Sequence, residues 1–133
     1  MKFPNISCKI DAFCSINPSE DPKKVEHAIT NILVDVNIKI SKETLKATST
    51  NIESLQKIYK AIHSHQSKSA YRRQLNQNLS DHSSWFYLNK QAAFANVIAL
   101  CSESEESSLG PIKINLNSEN IEQVIDWLIF NTE

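Results

Sequence analysis

The sequence predicts an α+β fold: a two-layer domain with a largely antiparallel sheet and helices on one face. Three observations predict it. Apolar and polar residues alternate over residues 6–16, 36–40, 45–48 and 112–116, the period-two mark of half-buried strands. Apolar residues recur every three or four positions over residues 25–33, 52–62 and 121–129, the mark of helices with one buried stripe. The two patterns interleave as strand, helix, strand, strand, broken helix, three strands, helix, an order that suits helices laid on one sheet. With 133 residues, 41% apolar and 22% charged, the expectation is one domain over residues 1–133 with a real core.

Each element has its own reason. In residues 6–16, Ile6, Cys8, Ile10, Ala12, Cys14 and Ile16 point one way, and Phe13 is the one aromatic on the polar side. Asp21 is placed to cap a helix whose first position is Pro22, and Val25, Ala28, Ile29, Ile32 and Leu33 form its stripe. Val36, Ile38 and Ile40 give a second strand, Leu45 and Ala47 a third, joined by a hairpin at Ser41-Lys42. Thr50 with Glu53 has the spacing of a capping box. Ile52, Leu55, Ile58, Tyr59 and Ile62 follow at helical spacing. The signal weakens over residues 64–69 and resumes with Tyr71, Leu75 and Leu79, giving a broken helix or two helices in series.

Trp85-Phe86-Tyr87-Leu88 starts a fourth strand, with core packing expected of its aromatics. Residues 94–101 are apolar at both parities, which suits a central strand covered on both faces, with a short buried helix as the alternative. An acidic, serine-rich loop over residues 102–108 leads to Leu109-Gly110-Pro111 and a last strand, and Ser118 opens a closing helix.

Charge is sorted along the chain. Residues 52–79 hold five cations (Lys57, Lys60, Lys68, Arg72 and Arg73) against Glu53 alone. Residues 80–133 hold two lysines against eight acids, and residues 1–51 seven lysines against six acids. A near-neutral protein of net charge −1 thus carries one basic element, the footprint of something that meets a polyanion. The plainer reading is a solvated helix face. By alternation Lys9, Lys39, Lys46 and Lys113 surround Phe13 on the open sheet face, a pattern that holds a nucleic-acid strand by charge and stacking or simply keeps the sheet soluble.

Other chemistries lack their residues. One glycine, Gly110, cannot build a phosphate-cradling loop or a dinucleotide fingerprint, so no cofactor is expected. Cys8 and Cys14 lie roughly 20 Å apart if their strand is extended, beyond disulfide reach, and reduced, buried thiols are expected. His63 and His65 diverge on a helix and do not chelate one ion. Glu103, Glu105 and Glu106 read as a solvated loop, and no metal is expected. No serine has the strained glycine-flanked setting of a nucleophile. The N-terminus has no long apolar run and nothing approaches a membrane span, so a soluble cytoplasmic protein is the expectation.

Three stretches carry a resemblance: Pro18-Ser19-Glu20-Asp21-Pro22-Lys23-Lys24-Val25, Leu88-Asn89-Lys90-Gln91-Ala92-Ala93 and Leu109-Gly110-Pro111-Ile112. In spacing and order they resemble a family of small archaeal proteins of unassigned function, described as RNA-binding or exosome-associated, over nearly the whole chain. The resemblance implies a fold like that of the large-subunit ribosomal protein L-five. It makes Lys90 and Gln91 candidate polar contacts at a strand end and matches Arg72 or Arg73 to an arginine in the second half of the long helix. Ser19 stands where the family has threonine, and Lys60 or His63 where it has arginine; neither offers the guanidinium fork.

The expected function is therefore non-catalytic RNA binding by an accessory protein, as part of an RNA-processing complex. Lys57, Lys60, Lys68, Arg72 and Arg73, with Lys90 and Gln91, would meet phosphates and read shape more than sequence. The alternative is a protein–protein adaptor, as a homodimer built on a sheet edge or on Trp85–Tyr87. An RNA-recognition-motif relative lacks its glycine-containing aromatic signature, and nothing in the residues favours a hydrolase.

Overall fold

A computed structural model describes residues 3–64, 67–101 and 109–130. Strands β1 (Lys9–Ser15), β2 (Asn37–Ile40), β3 (Thr44–Ser49), β4 (Ser83–Asn89), β5 (Leu100–Cys101) and β6 (Pro111–Asn117) form one antiparallel sheet in the order β2-β3-β1-β6-β4-β5. Helices α1 (Pro22–Ile32), α2 (Gln56–Ser64), α3 (Lys68–Gln77), α4 (Lys90–Phe94) and α5 (Ile121–Phe130) complete the α+β fold.

The alternation over β1 holds residue by residue. Ile10, Ala12 and Cys14 are buried, while Lys9 and Phe13 are exposed on the other side. Ile112, Ile114 and Leu116 of β6 and Phe86 and Leu88 of β4 join the same core, where they meet Val25, Ala28 and Ile29 of α1, Ile58 and Ile62 of α2 and Val124 and Leu128 of α5. Asp21 caps α1 by accepting from the Lys23 amide at 3.0 Å, with Pro22 at the first position.

Three local expectations need correction. Residues 94–101 are not a central strand. Asn89 accepts from the Ala92 amide at 2.9 Å and starts α4, and Asn96 turns the chain at φ 61°. Only Leu100–Cys101 pairs, at the sheet edge. The short helix α4 ends at Phe94 and docks on α1, where the Asn31 side chain donates to the Ala93 carbonyl at 2.8 Å, and residues 95–99 are a turn and an irregular segment with Val97 exposed. The proposed Thr50–Glu53 capping box is absent: Asn51 takes the Glu53 amide at 2.9 Å and opens a 3₁₀ turn, Ile52–Leu55. Of the two readings of the basic segment, two helices in series, α2 and α3, is the one observed. Of Trp85-Phe86-Tyr87, only Phe86 enters the core; its neighbours sit half-buried on the opposite sheet face. The acidic loop and His65 lie outside the described residues.

Candidate nucleic-acid interface

Helix α3 brings Lys68, Arg72 and Arg73 together. Lys68 and Arg72, four residues apart, share a face. With His63, Ser69, Ile129 and Phe130 they line a groove of about 490 Å³ between α3 and the ends of α2 and α5. A second groove continues from Ser69 and Arg72 to Arg73, Asn76 and Gln77. The Arg72 guanidinium sits 5.7 Å from the centre of the exposed Phe130 ring. Among the described residues, Glu119, Glu122 and Asp126 form no ion pair with any of these cations; the recorded pair is Lys90–Glu20.

The groove wall is fixed from behind. Tyr59 stacks between His63, at 4.1 Å, and Trp127, at 4.9 Å, and His63 Nε2 lies 2.9 Å from the Leu128 carbonyl oxygen. These contacts tie α2 to α5. Helix α3 is tied to the sheet by Gln74, a residue that sequence patterning did not single out. Its side-chain amide donates to the Cys101 carbonyl at 2.8 Å and accepts from the Tyr87 amide at 2.7 Å. Tyr87 and Cys101 are opposed in β4 and β5, so Gln74 bridges the ladder where the edge strand is only two residues long.

The other predicted contacts fall elsewhere. Lys57 turns towards α1, its ammonium donating to the Thr30 carbonyl at 3.1 Å, and Lys60 is exposed on α2 outside the groove. Five cations therefore do not make one ridge. Gln91 is exposed on α4 and does not line the groove.

Lys90 is not a surface contact. Its side chain is 0% exposed, and its ammonium donates to the Ser15 carbonyl at 2.7 Å, to Glu20 Oε1 at 3.0 Å and to the Leu109 carbonyl at 2.9 Å. Asn17 completes the cluster. Its backbone and side-chain N–H groups both donate to Glu20 Oε1 at 2.9 Å, and its side chain also reaches the Leu109 carbonyl at 3.0 Å. All three stretches that carried the family resemblance meet here. Burial pushes the Glu20 carboxyl up, but the donors from Asn17 and Lys90 and the Lys90 charge outweigh it and hold the group below its ordinary value.

Beside this cluster Gly110 takes φ 87°, and a Cβ there would stand 3.0 Å from Ser15 Oγ. Both the left-handed backbone and the contact penalise a side chain. Gly110→Ala is expected to lower stability by about 1–2 kcal/mol, read as a fall in Tm by circular dichroism.

Cys8, Cys14 and Cys101 are all buried, and none forms a disulfide. Burial pushes Cys8 and Cys14 up to about 11, so neither is a thiolate nucleophile at neutral pH.

Comparison with known proteins agrees with the α+β reading. A family model described as RNA binding matches residues 9–118. A UPF0201 protein of Methanothermobacter thermautotrophicus is 32% identical over 90% of this chain and 89% of its own. One from Sulfurisphaera tokodaii is 36% identical over 90% and 86%. The crystal structure of the Methanococcus jannaschii UPF0201 protein, 22% identical, superposes with a TM-score of 0.80 over 94% of this chain and 95% of that one. On these matches the chain belongs to the family described as RNA binding, alongside archaeal UPF0201 proteins.

Proposed function

We propose that this is a non-catalytic, cytoplasmic RNA-binding accessory protein of an RNA-processing complex. It meets structured RNA through the α3 face of Lys68, Arg72 and Arg73, with Lys60 as an outlying contact. The observation that carries the reading is three cations lining contiguous grooves, with no acidic partner among the described residues. Arginine and lysine on a helix face neutralise phosphates and set register on the backbone without reading bases, so shape counts for more than sequence. The match to a family described as RNA binding supports it independently.

Titration against a structured RNA at several salt concentrations tests it. With about four phosphates engaged, log K should fall against log salt with a slope of about −3. A flat salt response, or no binding at micromolar protein, overturns the proposal.

A further inference from the structure

On the side of the sheet away from the core, strand register aligns side chains of five strands in rows. One row runs Lys39, Lys46, Phe13, Lys113, Tyr87, through the pairs Lys39↔Lys46, Phe13↔Lys46, Phe13↔Lys113 and Tyr87↔Lys113. The next runs Asn37, Thr48, Asp11, Asn115, Trp85. Phe13 is 48% exposed between two lysines. The Trp85 and Tyr87 rings stand 4.9 Å apart, and the Lys113 ammonium lies 4.5 Å from the Trp85 ring centre. We infer that this face is a second binding surface, which takes unpaired nucleotides of an RNA by stacking on Phe13, Trp85 and Tyr87 with lysines along the sugar-phosphate path.

The inference rests on the RNA-binding reading but uses a different surface from α3. Charge complementarity selects the occupant. Lys39 and Lys46 stand directly opposite each other, a repulsive cross-strand pair that costs stability and that a phosphate between them relieves. The cores of protein–protein interfaces are depleted in lysine, whereas here lysines flank the central aromatic on both sides. Flat rings on an open sheet stack bases only where those bases are unpaired. Four strand spacings of about 4.8 Å give the row a length of about 19 Å, room for two or three stacked bases.

The test uses a fluorescein-labelled eight-nucleotide oligouridylate and an RNA duplex of ordinary sequence, both followed by anisotropy on the full chain. Phe13→Ala is expected to weaken oligouridylate binding about tenfold, equivalent to about 1.4 kcal/mol, and to leave duplex binding within twofold. Lys46→Gln with Lys113→Gln should flatten the oligouridylate salt slope by about 1.4, and circular dichroism confirms that each variant is folded. Unchanged oligouridylate binding in both variants overturns the inference. So does a Phe13→Ala protein that loses self-association in sedimentation while its RNA binding is intact, since the face is then a protein interface. Duplex binding lost on charge reversal at Arg72 and Arg73 while the sheet variants stay silent leaves the α3 reading standing and removes only this one. Failure to bind either RNA removes both.

Discussion

Lys90→Met should be the most damaging single substitution in this chain, lowering stability by about 3–5 kcal/mol. The lysine is fully enclosed and its ammonium has three oxygen partners. Removing it strands the Glu20 carboxylate, only 6% exposed, and leaves the Ser15 and Leu109 carbonyls without this donor. Breaking one side of a buried pair costs far more than replacing the whole pair. The Lys90→Met, Glu20→Gln double variant is therefore expected to be less destabilised than the sum of its singles, a non-additivity that urea melts of the four proteins measure directly.

Glu20 also sets a pH dependence. Its carboxyl is held below its ordinary value of 4.5 in the folded protein, so folding favours the ionised form. The stabilisation is complete above the unfolded value and is lost as pH falls through the folded one. Stability of the wild type should drop on acidification below about pH 4.5, and Glu20→Gln should lose that part of the acid dependence.

Arg72→Glu with Arg73→Glu should have the largest effect on binding. The pair supplies two of the three cations of α3 and both arginines of the chain, and only arginine presents a planar fork to phosphate. Affinity for structured RNA at moderate salt is expected to fall by at least tenfold, about 1.4 kcal/mol, with the salt slope shallower by about 1.5. Both side chains are exposed, and surface changes of this kind shift stability by about 0.5 kcal/mol or less. An unchanged melting curve with lost binding is thus the signature; binding that survives the double reversal counts against α3 as the interface.

How far the sequence could be read depended on the range of the interactions. The β1 alternation and the Asp21-Pro22 start of α1 are local, set by neighbouring residues, and both were legible. So was the side of the sheet on which Lys9, Lys39, Lys46 and Phe13 stand, since alternation alone decides it. Lys90 was misplaced because its partners Ser15 and Glu20 lie 75 and 70 residues away, and nothing next to a lysine in sequence announces a carboxylate so distant. A clue existed: three short motifs with no shared periodicity, each supplying one part of a single buried cluster. The strand expected over residues 94–101 failed for a related reason. Its apolar residues carry no period, and the Asn89 cap that diverts the chain lies upstream of them. The shared face of Lys68 and Arg72 follows from spacing alone, but the exclusion of Lys57 and Lys60 was illegible, because it depends on how α2 sits against α1.

The Gln74 amide bears on how the protein would greet a polyanion. One side of α3 offers Arg72 and Arg73 outward while the other is bolted through Gln74 to both β4 and β5. Rolling the helix about its axis would sever two hydrogen bonds at once. The spacing of the arginines is thus decided during folding, and on the proposed reading an arriving strand would meet a template whose backbone need not be ordered at the moment of encounter.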